Sequence, residues 1–445
     1  MGRLFGTDGV RGVANRDLTG TLALDLGRAA VSALTERGEG RPRIAVGRDT
    51  RGSGEFLEAA LVAGICSAGG DAVLLGVCPT PAVAFHTVDL GAQAGVVISA
   101  SHNPAEYNGI KFFGPGGSKL PDELEDEIER LIASDDGPRP EGRAVGRVHL
   151  SDGAEERYLR HLLSSAAGSL DGMRVVVDCA NGAAWSTAPE LLRRLGADVI
   201  PINDRPDGWN INEGGGATVP DVLAMAVVEA GAVAGVAHDG DADRAMFADH
   251  QGNVVDGDQV LAACALALDE SGELPGSVVV STVMANLGFR VCMERAGIRM
   301  IETKVGDRYV LEEMHRSGAV LGGEQSGHVI FLRHATTGDG LLTAVQFLTL
   351  ATRKGLTVAE LAGQMEKFPQ VLLNVEVSDR GGVDSAEAVW AAVRSAEQAL
   401  GGRGRVLVRA SGTEPLVRVM VEAPTEEDAR LHAEAICRAV RASLG

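Results

Sequence analysis

Apolar residues along this chain come mostly in short continuous runs, and three segments built on such runs read alike. RIAVGRD (43–49) leads through a helical stretch to GGDAVLLG (69–76), and MRVVVDCANG (173–182) leads to APELLRRLGADVIPI (188–202). SVVVSTVMANLGF (277–289) leads to RVCMERAGIRMIET (290–303). Each gives a β-branched strand, a small-residue loop, an amphipathic helix, a glycine and a second strand. Continuous apolar runs suit parallel strands covered on both faces, because a half-exposed strand would alternate. The repeat is too long and too degenerate for a solenoid, so it predicts three related α/β domains.

The pattern changes near Pro369. PQVLLNVEVS (369–378) reads as a strand, DSAEAVWAAVRSAEQAL (384–400) as a helix and GRVLVRA (404–410) as a strand. LVRVMVEA (416–423) alternates as a half-buried strand does, and TEEDARLHAEAICRAVRASL (425–444) has helical periodicity. This β-α-β-β-α order suits a small antiparallel α+β domain. With breaks at the Gly/Pro/Arg-rich DDGPRPEGRAVG (135–146), near 253 and near Pro369, the expected domains are 1–150, 151–253, 254–368 and 369–445.

Composition agrees with a globular chain: 445 residues, 45% hydrophobic and 4% aromatic, with 58 glycines. A net charge of −20 speaks against nucleic acid as a partner, which needs a basic surface, but not against a small anion in a local basic pocket. The six cysteines (66, 78, 179, 264, 292, 437) show no C-x-x-C spacing and read as reduced thiols. MGRLFGTDGVRG at the start has no long apolar segment, and no uninterrupted apolar run reaches the roughly 18 residues of a membrane span. Neither secretion nor a membrane partner is expected, and a cytoplasmic location is. Only five of the 41 basic residues are lysines (111, 119, 304, 354, 367). A lysine inside a motif is therefore informative, since lysine, unlike arginine, can release its proton.

The sharpest chemical signal is AHDGDADRAMF (237–247). Were the segment extended, Asp239, Asp241 and Asp243 would lie on one side of it. Crowded carboxylates repel one another unless a cation lies between them, and oxygen-only ligands select Mg²⁺ or Ca²⁺. Read as an EF-hand loop the segment fails, because Arg244 and His250 stand where glycine and glutamate are needed. Three carboxylates leave room in a Mg²⁺ shell for waters and a phosphate oxygen, which implies a phosphate nearby.

VISASHNPAEYNGIKFF (97–113) runs an apolar strand into Ser101. The motif is not G-x-S-x-G, and His102 would face away from Ser101 on an extended chain, so it is a poor general base there. Taken alone, Ser101 reads equally well as a turn cap. RASGTEPLVR (409–418) places Arg409, Ser411, Gly412, Thr413 and Arg418 where they suit an anion nest or, more plainly, a hairpin turn. GGEQSGHVIF (322–331) sets Glu324, Ser326 and His328 at alternate positions, an arrangement that suits a polyol ring or a bulged strand. FGTDGVRG (5–12) is a turn-rich start in which Arg11 could reach an anion.

FGTDGVRG, ISASHNP, NGIKFF, DGDADR, TVMANLGF, GGEQSGH, TTGDGLL and RASGTEPLVRVMVE occur in the order seen in the α-D-phosphohexomutases, and the chain resembles that family nearly end to end. The resemblance implies three similar mixed α/β domains and a smaller C-terminal α+β domain around a central cleft. It implies a phosphoserine at Ser101 in the first domain and one Mg²⁺ on Asp239, Asp241, Asp243 and a phosphoryl oxygen of Ser101 in the second. It implies sugar-hydroxyl readers Glu324, Ser326 and His328 in the third domain, and a phosphate clamp of Arg409, Ser411, Gly412, Thr413 and Arg418 in the fourth. Lys111 and His328 would move protons, and Arg11 and Arg244 would lie near the transferring group.

The implied reaction is an isomerisation of a small phosphosugar, glucosamine 6-phosphate to glucosamine 1-phosphate. It proceeds through a sugar 1,6-bisphosphate that also serves as activator, and it feeds amino-sugar nucleotide and cell-wall precursor synthesis. Mannose or glucose phosphates are the alternative substrates within the family. A serine hydrolase using Ser101 leaves the aspartates and the phosphate loop without a task, and a catalytically silent metal-binding protein leaves a full polar set unused. A homodimer is admissible; nothing in the sequence sets the oligomeric state.

Overall fold

The structure, a computed structural model, describes residues 4–6, 8–35, 41–134, 137, 139–378, 380–410 and 416–445. They form two compact units: residues 1–284 with 298–363, and residues 285–297 with 364–445.

The larger unit holds three sheets that repeat one strand order. In the first, the parallel strands Arg43–Arg48 and Asp71–Val77 lie side by side, with Ala94–Ile98 on the other flank of Arg43–Arg48. Tyr107–Phe113 then returns antiparallel to Ala94–Ile98. The second sheet places Arg174–Asp178, Asp198–Ile202, Ala234–His238 and the antiparallel Ala245–Asp249 in the same relation. The third does so with Val278–Thr282, Arg299–Thr303, Leu321–Gly323 and Val329–Phe331. The first sheet adds Val10–Val13 and Val148–Leu150 at its edges, and the second adds Val254–Val255. The expected three α/β domains are present, and the repeat extends beyond the first two strands to a hairpin in each copy.

The hairpins position the chemistry. Ala94–Ile98 and Ala234–His238 are buried along their whole length, as strands covered on both faces must be. These two strands, and Leu321–Gly323 in the third sheet, each end in a polar turn before the antiparallel return. Those three turns carry Ser101, the aspartate triplet and the Glu324–His328 segment. Helix ends are fixed locally: Asp256 and Gln259 form a capping box at the start of Gly257–Glu270. Asp339 caps Gly340–Lys354, which ends on Gly355 at φ +64.

The smaller unit contains a three-stranded antiparallel sheet in the order Gln370–Glu376, Leu416–Glu422, Arg405–Ala410. Helices Glu387–Leu400 and Glu426–Leu444 share its apolar core, built on Val389, Val393, Val419, Val421 and Ile436. This is the expected α+β domain. All six cysteines are free thiols. Among the described residues no helix is long and apolar enough to cross a membrane.

Candidate active site

Ser101 lies just past Ile98, at the end of a buried strand, and is only 2% exposed. Its backbone is left-handed, φ +52, which costs a non-glycine residue about 1 kcal/mol and persists only where neighbours enforce it. That conformation turns Oγ towards the second domain, where it donates to Asp239 Oδ2 at 2.7 Å. It also brings His102 Nδ1 to 3.3 Å from Oγ. The expectation that His102 faces away assumed an extended chain, and the left-handed residue removes that premise. Burial, with Arg244 and Arg11 nearby, holds the His102 imidazole below its ordinary pKa and so in its neutral form.

The aspartates converge by a different route from the one periodicity suggests. Residues 239–243 are not extended; they form the turn between Ala234–His238 and Ala245–Asp249, with Ala242 at φ +56. The turn brings one carboxylate oxygen of each of Asp239, Asp241 and Asp243 within 4.8 Å of the others. His238 Nδ1 and the Arg244 carbonyl, 3.0 Å apart, tie its base together. Gly340 N–H donates to Ala242 O at 3.0 Å, and Ala245 N–H donates to Gly327 O at 3.0 Å. The turn is therefore fixed against the third domain.

Two of these carboxylates, both fully buried, are driven in opposite directions. Burial, and then repulsion from Asp243 and Asp241, pushes Asp239 well above the usual carboxylate range. Burial would raise Asp241 too, but Lys111 and the Thr80 hydroxyl outweigh it and hold Asp241 low. Lys111 Nζ donates to Asp241 Oδ2 at 3.1 Å, and Thr80 Oγ1 donates to the same oxygen at 2.7 Å. Oδ1 of Asp241 and Oδ1 of Asp243 are buried without a hydrogen-bond partner. Oxygen lone pairs left unmatched in a cluster whose first member resists ionisation fit a hard divalent cation.

Cationic residues surround this centre. Lys111, on strand Tyr107–Phe113, is buried, which would lower its pKa; Asp241 and Asp8 more than offset this and keep it protonated. Arg11 Nη2 bonds Asp8 Oδ2 at 3.1 Å, and Asp8 Oδ1 accepts from Lys119 at 3.0 Å. Lys119 also pairs with Asp307 at 2.6 Å. The backbone N–H of Arg244 donates to Asp239 Oδ1 at 3.3 Å, and its side-chain Nε lies 3.8 Å from Asp243 Oδ1.

The third turn also departs from expectation. Glu324, Ser326 and His328 do not alternate along a strand; they lie in the connection between Leu321–Gly323 and Val329–Phe331. Glu324 Oε1 accepts from Gly306 N–H at 3.0 Å, while Ser326 Oγ is buried with no partner. His328 Nδ1 sits 3.6 Å from Asp243. Burial works against its protonation, yet Asp243 and then Asp307 raise its pKa to about 9. Gly338 N–H donates to Nε2 at 3.1 Å, which only an unprotonated nitrogen accepts. A cation on Asp243 would favour the form that Gly338 selects.

In the smaller unit Arg409 and Arg418 stand directly opposite each other in register. Like charges so placed destabilise a sheet, and burial together with Arg418 lowers the pKa of Arg409. An anion bound between them would reverse that penalty. Ser411, Gly412 and Thr413 lie outside the described residues.

The structure thus brings together Ser101, Lys111, Arg11, Arg244, the three aspartates and His328, with Glu324 and Ser326 on the adjoining turn. Sequence reasoning missed Asp8, Thr80, Lys119 and Asp307. Asp8 lies between Gly6 and Gly9 and Asp307 follows Gly306, the only local sign either offers; Lys119 stands out only as one of five lysines, and Thr80 not at all.

Four family descriptions match consecutive segments of the chain. They are phosphoglucomutase/phosphomannomutase α/β/α domain I over residues 2–139, domain II over 156–252, domain III over 256–368 and the C-terminal domain over 372–439. A phosphoglucosamine mutase of Thermobifida fusca is 57% identical over 446 aligned positions, covering 100% of this chain and 99% of that one. A phosphoglucomutase/phosphomannomutase family protein of Burkholderia thailandensis superposes with a TM-score of 0.83 at 24% identity, covering 99% and 97%. The N-acetylphosphoglucosamine mutase of Aspergillus fumigatus, crystallised with GlcNAc-6P and magnesium, gives a TM-score of 0.69 at 20% identity, covering 99% and 96%.

Proposed function

Because the chain belongs to the phosphoglucomutase/phosphomannomutase family, we propose that it interconverts glucosamine 6-phosphate and glucosamine 1-phosphate through a phosphorylated Ser101. The geometric observation that carries the reading is Ser101 Oγ at 2.7 Å from Asp239, inside a cluster of buried carboxylates that calls for a cation. The choice of an amino sugar rests on the full-length likeness to a phosphoglucosamine mutase.

In this reading Asp239, Asp241 and Asp243, with a phosphoryl oxygen on Ser101, would hold one Mg²⁺, as the magnesium complex of the Aspergillus enzyme encourages. The ion would neutralise charge on the transferring group. In the first half-reaction the P–O bond to Ser101 Oγ breaks and a bond forms to the free sugar hydroxyl, whose proton passes to a side-chain base. Ser101 leaves as an alkoxide, and Lys111, held by Asp241, is the candidate to donate a proton to it. The second half-reaction is the reverse at the other end of a sugar 1,6-bisphosphate that has turned over. Phosphoryl transfer needs positioning and charge neutralisation more than covalent help, and Arg11, Arg244 and Lys111 supply positive charge already aimed by Asp8, Asp243 and Asp241. His328 is the candidate for moving the sugar proton, Glu324 and Ser326 read ring hydroxyls, and Arg409 and Arg418 grip the phosphate that does not react.

Phosphorus NMR of the purified protein with Mg²⁺ and a trace of sugar 1,6-bisphosphate tests this. Glucosamine 6-phosphate should give an anomeric phosphate signal much faster than glucose 6-phosphate. Equal or faster conversion of glucose 6-phosphate would overturn the sugar assignment, and no conversion of either would overturn the activity.

A further inference from the structure

The geometry points to Arg51 and Asn212 as positioning residues that together clamp the backbone of the Ser101 loop; this rests on the phosphoserine reading above. Arg51 is among the largest wholly buried side chains, with 0% exposure. Its Nη2 donates to Ser101 O at 2.9 Å and to Asn103 O at 2.8 Å. Its Nη1 donates to Pro104 O at 2.5 Å and to Tyr107 O at 3.1 Å. One guanidinium therefore collects four carbonyls of a single loop, which takes all four N–H bonds of its two terminal nitrogens.

Asn212, in the second domain, bonds two of the same carbonyls. Its Nδ2 donates to Ser101 O at 2.9 Å and to Asn103 O at 3.1 Å. The amide side of Ser101 is held by the same assembly. Asp49 Oδ2 accepts from Arg51 Nε at 2.9 Å and from Ser99 Oγ at 2.5 Å, and Ser99 Oγ accepts from Ser101 N–H at 3.0 Å. The aspartate turn packs against the clamp as well. A Cβ on Gly240 would come within 2.6 Å of Ser101 O and 2.8 Å of Asn212 Nδ2.

Neither residue bonds Ser101 Oγ, whose partners are Asp239 and His102. What they fix is the left-handed backbone that aims Oγ. Without those bonds a serine at φ +52 relaxes towards the ordinary regions, and Oγ swings away from Asp239. A misplacement of about 1 Å at a reacting atom can cost roughly 100-fold in rate. A buried arginine that merely filled the core would carry no such dependence.

The test uses the full-length protein. Two quantities are followed: steady-state conversion of glucosamine 6-phosphate with Mg²⁺ and bisphosphate, and the rate at which bisphosphate phosphorylates Ser101, read by intact mass. Asn212→Ala should lower kcat about 10-fold or more, leave KM within about twofold and slow Ser101 phosphorylation in parallel. Its unfolding temperature should fall only slightly, since alanine is less at ease than asparagine at φ +61. Arg51→Lys keeps the charge but loses the fork, and should fall further, about 100-fold, per folded molecule. Wild-type kcat and phosphorylation rate in Asn212→Ala would overturn the clamp, as would a rise in KM alone. If Arg51→Lys does not fold, Asn212→Ala decides. A wild-type protein inactive on hexosamine phosphates would count against the functional reading alone, since the phosphorylation rates would still judge the clamp.

Discussion

The turn around Ser101 and the turn around Ser326 occupy the same place in two copies of one sheet order, yet they are built in opposite ways. At Ser101 the amide, the carbonyl and the hydroxyl are all bonded within the protein. At Ser326 the hydroxyl is buried with no partner, and Glu324 commits one oxygen to Gly306 N–H. Leaving a buried hydroxyl unpaired costs about 1–3 kcal/mol, a cost tolerated where a ligand group takes up the bond. On the proposed reading, the turn that would transfer phosphate is pre-organised, and the turn that would read the sugar keeps polar atoms unspent.

That contrast can be broken at either end. Ser101→Ala should abolish turnover without lowering the unfolding temperature, because it removes the transferring atom and leaves the loop bonds intact; measurable mutase activity would end the phosphoserine scheme. Asp241→Asn removes a ligand charge and the partner of buried Lys111. It should cost about 100-fold or more in kcat and shift the Mg²⁺ titration to higher concentration. An unchanged titration would contradict the metal assignment. Arg418→Ala should act mainly through KM, by about 10- to 100-fold, as expected for a lost charged hydrogen bond. A fall in kcat at constant KM would say that the arginine pair does not grip the resting phosphate. Ser326→Ala should be mildest, raising KM several-fold with kcat nearly unchanged, and should not reduce stability, since its hydroxyl has no partner to lose. A loss of stability there would blur the distinction between the two turns.

The first two strands and helix of each repeat were legible because continuous β-branched runs such as RVVVD and VVVST leave few alternatives. The returning hairpins were less so. Leu321–Gly323 and Val329–Phe331 have three residues each, too few to show a period, so Glu324–His328 was read as strand instead of turn. The aspartate triplet announced a cation by composition alone, although Ala242 at φ +56 gathers it by a turn that periodicity does not foresee. The supports of Ser101 were not legible. Arg51 and Asn212 act across separations of 50 and 111 residues, and Thr80 reaches Asp241 across 161; their neighbours in sequence say nothing of their partners. Nor does a serine advertise a left-handed backbone, as a glycine can.

The most direct test of the central claim is a single-turnover experiment. The protein is loaded with sugar 1,6-bisphosphate, freed of excess, and mixed with less than one equivalent of glucosamine 6-phosphate in the presence of Mg²⁺. Tandem mass spectrometry then locates the enzyme-bound phosphate before and after mixing. With the phosphate of the sugar isotopically labelled, the account predicts phosphate on Ser101 and no other residue, passed to the sugar as the 1,6-bisphosphate appears and replaced by the labelled phosphate when the turnover ends. Phosphate on another residue, or turnover while Ser101 keeps its original phosphoryl group, would contradict it.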